Sequence, residues 1–394
     1  MLVIEFKARA NAAQSAAIDE AIRTAQFVRN KCLRLWMDEK GKGKYDLNKH
    51  CKVLANEFEW ARKLNSQARQ ASAEQAWSSI ANFYRNCTSN IRPVGYPRFK
   101  EHSRSVEYKT SGWKLLDLKR IRFTDGFGIG ELRLIGTYDL GYYKPEQIKR
   151  VRIIRRADGY YVQFVLSVEV TADRQPTGKA VGLDMGLEHF YTDSNGHHKP
   201  VQQFYKKSQA KRKRLQRRLS RKAKGSKNRV KARQRLARHE LKISRQRKEH
   251  AKRLAYCVIQ SNDLVAYEDI RIRNMVKNHC LAKSIQDAGC YQFRLWLEYF
   301  GKKYGAVTIA VDPAYTSQGC PSCGAIVKKS LSTRTHACSC GCVLQRDHAA
   351  AINILRKGLR TQGHWGTWLL DNQNAWGETA STVQHSGVEV QVVS

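Results

Sequence analysis

Four cysteines near the C-terminal end constrain this chain more than any other feature. The stretch from Thr316 to Leu355 reads TSQGCPSCGAIVKKSLSTRTHACSCGCVLQRDHAAAINIL. Cys320 and Cys323 form one knuckle and Cys338 and Cys340 a second, with a short loop between them. Paired thiolates on two turns supply the tetrahedral set that structural zinc takes. Asp347 stands five residues past Cys342, at the head of an apolar helical run. Such a segment reads as a stapled ribbon that aims an acidic residue, and rigidly held carboxylates are what a catalytic magnesium requires.

Charge narrows the partner. Lys and Arg number 71 against 34 acidic residues in 394, a formal net charge of +37. An excess of this size points to a polyanion, and nucleic acid is the usual one. The plainer alternative is a basic protein of ribosomal type. No apolar run approaches the ~20 residues of a membrane-spanning helix, so no membrane partner is expected. The opening MLVIEFKARA lacks the layout of a secretion signal. The 11 cysteines are odd in number. Without a secretion signal they read as reduced thiols in a cytoplasm rather than a disulfide framework.

Taken in order, residues 2–8 alternate like a strand. From about Asn11 to Thr88 apolar residues recur at helical spacing, and the loop 41–46 separates a long first helix from runs at 47–62 and 65–87. Trp60, Trp77, Phe83 and Tyr84 are expected in the core of this bundle. Asn65, Gln67, Gln70 and Gln75 are polar side chains that could read base edges. GYPRFK at 95–100 breaks the pattern, and residues 104–172 alternate as strands with Asp-Gly turns at 125–126 and 158–159. The reading is a small β-barrel that takes 2–8 as its first strand and carries the bundle as an insertion. Residues 171–178 read as a linker. An apolar strand then ends at Asp184, followed by a second strand and an Asn195-Gly196 hairpin turn.

From Gln203 to Ile259 the chain is almost wholly basic and helix-forming, broken at 224–227, with Leu215, Leu219, Leu236, Leu241 and Leu254 as sparse anchors. Self-repulsion disfavours such a hairpin unless a polyanion neutralises it. A strand ends at Glu268, residues 281–305 read as one amphipathic helix, and 306–313 as another strand. After Gly358 periodicity is poor, as in disordered tails.

Three acids stand out by context. Asp184 and Glu268 end apolar strands and Asp347 opens a helix, whereas Asp269 falls on the opposite side of its strand because side chains alternate. A carboxylate at the end of an apolar strand is costly unless it binds a cation. Three such acids can converge on two magnesium ions ~4 Å apart, the arrangement that cleaves phosphodiesters. Gly186, two residues past Asp184, leaves room for a phosphate.

At these residues the chain resembles the TnpB family of transposon-encoded RNA-guided nucleases, related to type V CRISPR effectors. The resemblance rests on GYPRFK at 95–100, GLDMG at 182–186, YED at 267–269, TSQ-C-P-S-CG at 316–324, and RD followed by AAINIL at 346–355. It implies an α/β multidomain protein: a wedge-type β-barrel (1–10 and 97–172), an inserted helical recognition domain (11–96), an RNase H-like RuvC nuclease domain (173–315 and 344–357, with the basic hairpin at 203–260), a zinc ribbon (316–343) and a disordered tail (358–394). Asp184, Glu268 and Asp347 match the family's catalytic acids and would hold two Mg²⁺. Cys320, Cys323, Cys338 and Cys340 would hold a structural Zn²⁺. The second knuckle is one residue shorter than the family's usual pair, so Cys342 is an alternative fourth ligand and His336 a further one. Gln345 stands where the family has Asp, and Ala349 where it has Asn. The implied activity is RNA-guided cleavage of double-stranded DNA beside a short flanking motif, with a guide RNA from the transposon end. The implied protein is a monomer in a prokaryotic cytoplasm, acting at the nucleoid. The rival readings are a nuclease-inactive RNA-guided regulator and a strand-joining transposase.

Overall fold

A computed structural model describes residues 2–168, 172, 174–330 and 332–361. It divides into two compact units, Met1–Val170 and Thr171–Ser394.

In the first unit β1 (Leu2–Arg9) leads directly into four helices: α1 (Ala12–Asp38), α2 (Lys44–Glu57), α3 (Glu59–Arg62) and α4 (Ser66–Thr88). Six more strands follow: β2 (Ser105–Tyr108), β3 (Trp113–Asp117), β4 (Arg120–Phe123), β5 (Gly130–Ile135), β6 (Ile148–Arg156) and β7 (Gly159–Leu166). The seven strands make one curled antiparallel sheet in the order β2-β6-β7-β1-β5-β4-β3. Its end strands do not pair with each other, so the expected barrel is an open half-barrel. Alternation along β1 turns Ile4, Phe6 and Ala8 inward, where they meet Ile18, Ala21, Ile22 and Ala25 of α1. Farther along α1, Val28, Cys32 and Leu33 join a separate bundle core with Leu47, Leu54 and Ile80. One 27-residue helix thus serves two cores.

Trp60 and Tyr84, expected in that core, are 40% and 49% exposed. Each sits in a surface aromatic cluster instead: Trp60 is 4.7 Å from Phe27, and Tyr84 is 6.0 Å from Trp36. Asn65 and Gln67 are occupied locally. Asn65 caps α4 by accepting from the Gln67 N–H, and the Gln67 side-chain oxygen accepts from Thr110.

The second unit opens on β8 (Ala180–Asp184), β9 (His189–Asp193) and β10 (His198–Pro200), then α5 (Phe204–Ser220) and α6 (Lys227–Ser261). β11 (Leu264–Glu268), α7 (Ile272–Met275), α8 (Ala282–Ala288), α9 (Cys290–Tyr304) and β12 (Val307–Val311) follow. β13 (Thr335–Ala337), β14 (Val343–Gln345) and α10 (Arg346–Thr361) complete it. The main sheet runs β10-β9-β8-β11-β12, with β8, β11 and β12 parallel and β9 and β10 antiparallel. Parallel strands covered on both faces read as continuous apolar runs, which is how AVGLD and LVAYE appear.

Two expectations change here. Residues 281–305 are two helices, because Gly289 at φ +74° breaks the run. Within the segment read as a linker, the Asp263 carboxylate accepts from the N–H groups of Thr177 and Gly178 at 2.8 and 2.6 Å. α10 continues through Gly358 to Thr361, so the tail expected from 358 begins inside a helix, and 362–394 lie outside the described residues.

Candidate active site

Strand alternation sorts the main sheet into two faces. Val181, Leu183, Val265 and Tyr267 pack with α6 and α9 through Ala251, Ala255, Phe293 and Leu297. Leu264 and Ala266 point the other way, to Ile354, Leu355 and Leu359 of α10. Continuing that alternation puts Asp184 and Glu268 on the α10 face. They are also neighbours along the sheet, one step past the parallel pair Leu183 and Tyr267. Asp347 lies in the first turn of α10. Asp269 goes to the far face, where Arg294 pairs with it.

Two glycines let α10 lie flat on the strands. A Cβ at Gly182 would sit 2.2 Å from the Ala351 carbonyl oxygen and 2.6 Å from the Leu355 nitrogen. A Cβ at Gly358 would come within 2.6 Å of Ala266 Cβ. At the helix start the His348 ring lies 3.1 Å from the Ser194 carbonyl, and Ser194 is itself hydrogen-bonded to Gly182. Backbone contact with β8 at Ala351 and Leu355 thus places α10, and the His348 contact with Ser194 holds its first turn, which carries Asp347.

The electrostatics reflect the convergence. Burial pushes the Asp184 carboxyl up to about 8, and the charges of Glu268 and Asp347 add to that, opposed by Arg346. Burial also raises Glu268, while a hydrogen bond from Thr316 and the charge of Lys357 pull it back. None of the three forms a salt bridge among the described residues. Three half-buried acids, two of whose charges add to the raised proton affinity of Asp184, suit a divalent ion where no ion-paired cation is found among the described residues. Their oxygens do not gather as tightly as the sulfurs below: among the described residues, groups of three or more ligand atoms within 4.8 Å of one another are all cysteine-based.

The cysteines do gather. Cys320, Cys323, Cys338 and Cys340 lie within 4.8 Å of one another, with Sγ pairs at 3.6 Å between Cys320 and Cys340 and between Cys323 and Cys338. Tetrahedral zinc with bonds of ~2.3 Å spaces its sulfurs by ~3.8 Å, so this cluster has the right size. The hairpin β13–β14 presents the short second knuckle, with Gly341 at φ +85° turning the chain. Burial opposes ionisation of Cys320, but hydrogen bonds from the Cys323 N–H, His336, the Ser322 N–H and Cys340 together outweigh it and bring its thiol down to about 5. The Cys342 N–H favours a Cys340 thiolate, yet the sulfurs around it hold that thiol up at about 12. Four thiolates this close need a cation. Cys342 and His336 form a second set with Cys320 inside the same 4.8 Å limit, and His336 is fully buried. Among the described residues the geometry thus keeps both alternatives to the four-cysteine set.

Comparisons with known proteins agree on the family. A family model described as "Probable transposase" matches residues 163–279, and one described as "Cas12f1-like, TNB domain" matches 291–354. A Streptomyces pristinaespiralis protein named "Putative RNA-guided DNA endonuclease" is 28% identical over 365 residues, 88% of this chain and 86% of its own length. A relative in Escherichia coli K12, similarly named, is 28% identical over 326 residues, 77% of each chain. A mimivirus "TnpB-like protein L79" is 25% identical over 141 residues, 34% of this chain and 27% of its own. The chain belongs to the TnpB family. Two solved structures share its fold at low identity. One is a Cas12f1–sgRNA–target DNA complex (TM-score 0.53, 15% identity, 86% of this chain and 82% of that one). The other is the mini-RNA-guided endonuclease CRISPR-Cas_phi3 (TM-score 0.55, 10% identity, 91% and 92%).

In this TnpB-family chain the basic hairpin is two helices, as the sequence suggests, the second 35 residues long. All five leucine anchors are half-buried, while α5 has no fully buried residue. Of the two positions that depart from the family pattern, Ala349 is buried in α10 and Gln345 is exposed at the end of β14. Sequence reading included Gly182, Thr316 and Asn353 in its motifs but gave none of them a role. Only Gly182 carried a local signal, a lone glycine inside an apolar strand, which marks close backbone approach.

Proposed function

We propose that this TnpB-family chain is an RNA-guided DNA endonuclease that cuts double-stranded DNA beside a short flanking motif. Asp184, Glu268 and Asp347 would hold two Mg²⁺, which when bound supply an activated water and stabilise the leaving oxygen. The single observation that carries the reading is the placement of these three acids: on one sheet face and at the start of the helix that covers it, with no salt bridge to any of them among the described residues. Cys320, Cys323, Cys338 and Cys340 would hold a structural Zn²⁺ that keeps the ribbon folded ahead of Asp347. The basic surfaces of α5 and α6 suit a guide RNA, whose phosphates would offset the repulsion between the two helices. Base pairing would then select the target.

The test uses the purified chain, the RNA that copurifies with it, a plasmid matched to that RNA and Mg²⁺. The expected result is a linear plasmid. For Asp184→Ala the expected result is an intact plasmid with RNA and DNA affinity retained. An intact plasmid bound tightly by the wild-type chain would reject the nuclease and favour an RNA-guided regulator.

A further inference from the structure

Glu268 has a partner that the metal-ion reading does not use. The hydroxyl of Thr316, a residue only 3% exposed, donates to Glu268 Oε1 and lies 2.9 Å from the Pro313 carbonyl oxygen. A carboxylate fixed through one oxygen keeps its plane and presents the other oxygen to a cation. Thr316 is held in turn. The Asn353 amide of α10 donates to the carbonyls of Thr316 and Gly319, at 2.9 and 2.8 Å. From the next turn of the same helix, Arg356 donates to the Pro321 carbonyl, and Lys357 to those of Asp312 and Ala314. Positions 353, 356 and 357 share one helix face, and together they clamp the whole segment between β12 and Cys320. On its other side this segment is tied into the ribbon: Lys329 donates to the Ser317 carbonyl at 3.1 Å, and the Cys320 N–H to that of Ala325 at 2.8 Å.

We propose that Thr316 is a positioning residue: it orients Glu268 for a divalent cation and joins that carboxylate to the folded cysteine ribbon and to α10. This rests on the reading of Glu268 as a metal ligand. Groups that orient metal ligands commonly matter by about 10- to 100-fold in metal affinity.

The experiment uses the full-length, zinc-loaded chain, with Mn²⁺ affinity read by electron paramagnetic resonance and plasmid cutting measured across a Mg²⁺ range. Thr316→Val keeps the shape and removes the hydroxyl. It is expected to weaken Mn²⁺ binding about tenfold or more and to slow cutting at low Mg²⁺, with recovery at high Mg²⁺ and unchanged zinc content. Thr316→Ser restores the donor and is expected to behave like wild type. Asn353→Leu leaves the hydroxyl but frees its backbone, and a smaller loss of Mn²⁺ affinity is expected. It also keeps the question decidable if Thr316→Val does not fold. Wild-type Mn²⁺ affinity and Mg²⁺ dependence in Thr316→Val, or in Asn353→Leu where the valine variant is unfolded, overturns the proposal. So does a serine variant as impaired as the valine one, which would mark a packing role. If Asp184→Ala and Glu268→Gln leave Mn²⁺ binding untouched, the metal-ion reading itself fails and this inference falls with it.

Discussion

Asp184 ends an apolar strand with a carboxyl raised to about 8 by burial and by the charges of Glu268 and Asp347. At neutral pH and without a cation it is therefore mostly protonated. Two consequences follow at the scale of this residue. A divalent ion must displace that proton, so at limiting Mg²⁺ cutting should rise between pH 6.5 and 8.5, and its midpoint should move to lower pH as Mg²⁺ increases. A flat profile at limiting Mg²⁺ would contradict the raised carboxyl. The second consequence concerns stability. Between the unfolded value of 3.8 and the folded value near 8 the native chain binds the extra proton. Stability from this group is thus full below pH 3.8 and declines as pH rises to about 8. Urea unfolding of the zinc-loaded chain in Mg²⁺-free buffer, at pH 5 and pH 8, checks this. The wild type should lose stability relative to Asp184→Asn at the higher pH, and added Mg²⁺ should remove the difference.

At the scale of elements, the site depends on how closely α10 lies on β8. At Gly182 an added methyl meets helix backbone at 2.2 Å, and backbone cannot step aside as a side-chain tip can. Overpacking of this kind costs ~1–3 kcal/mol. Gly182→Ala should lower the melting temperature by about 5 °C for a unit of this size and cut activity sharply, because the helix start that carries Asp347 must lift. Gly186→Ala meets only the His189 carbonyl, at 3.2 Å, and should cost much less on both measures. Equal effects from the two substitutions would sink this account of the packing.

The contrast also marks what the sequence makes legible. Gly186 drew notice because it follows a candidate acid, whereas Gly182 carries the contact. The apolar runs of β8 and β11, the basic helices and the position of Asp347 could be read locally, since burial on both faces and helical spacing leave a pattern within ten residues or so. Closure of the first sheet could not, because pairing between β2 and β3 is a matter of edges rather than of alternation. The break at Gly289 was hidden by apolar residues that keep helical spacing across it. Thr316 heads the TSQ motif, but nothing local ties it to its partner Glu268, 48 residues away.

At the scale of the whole molecule, the proposed function gives the net charge of +37 and the cluster of thiols separate tasks, and removing zinc should separate them. Guide RNA binding is assigned to α5 and α6, whose basic side chains need no metal to be displayed. Cutting is proposed for the carboxylates, of which Glu268 is tied to the cysteine ribbon through Thr316 and the clamp from α10. Without a cation the thiols cannot all ionise, as the opposed shifts of Cys320 and Cys340 indicate, and repulsion between the remaining thiolates would open the knuckles. Chelation, confirmed by loss of zinc and followed by resupply of Mg²⁺, should therefore reduce cutting by about tenfold or more, in line with the loss of an orienting group. RNA affinity and its steep dependence on salt, set by the number of phosphates neutralised, should stay close to those of the zinc-loaded chain. Full-rate cutting after chelation would break the link between ribbon and carboxylates. A parallel collapse of RNA affinity would instead place the ribbon in the fold of the basic helices.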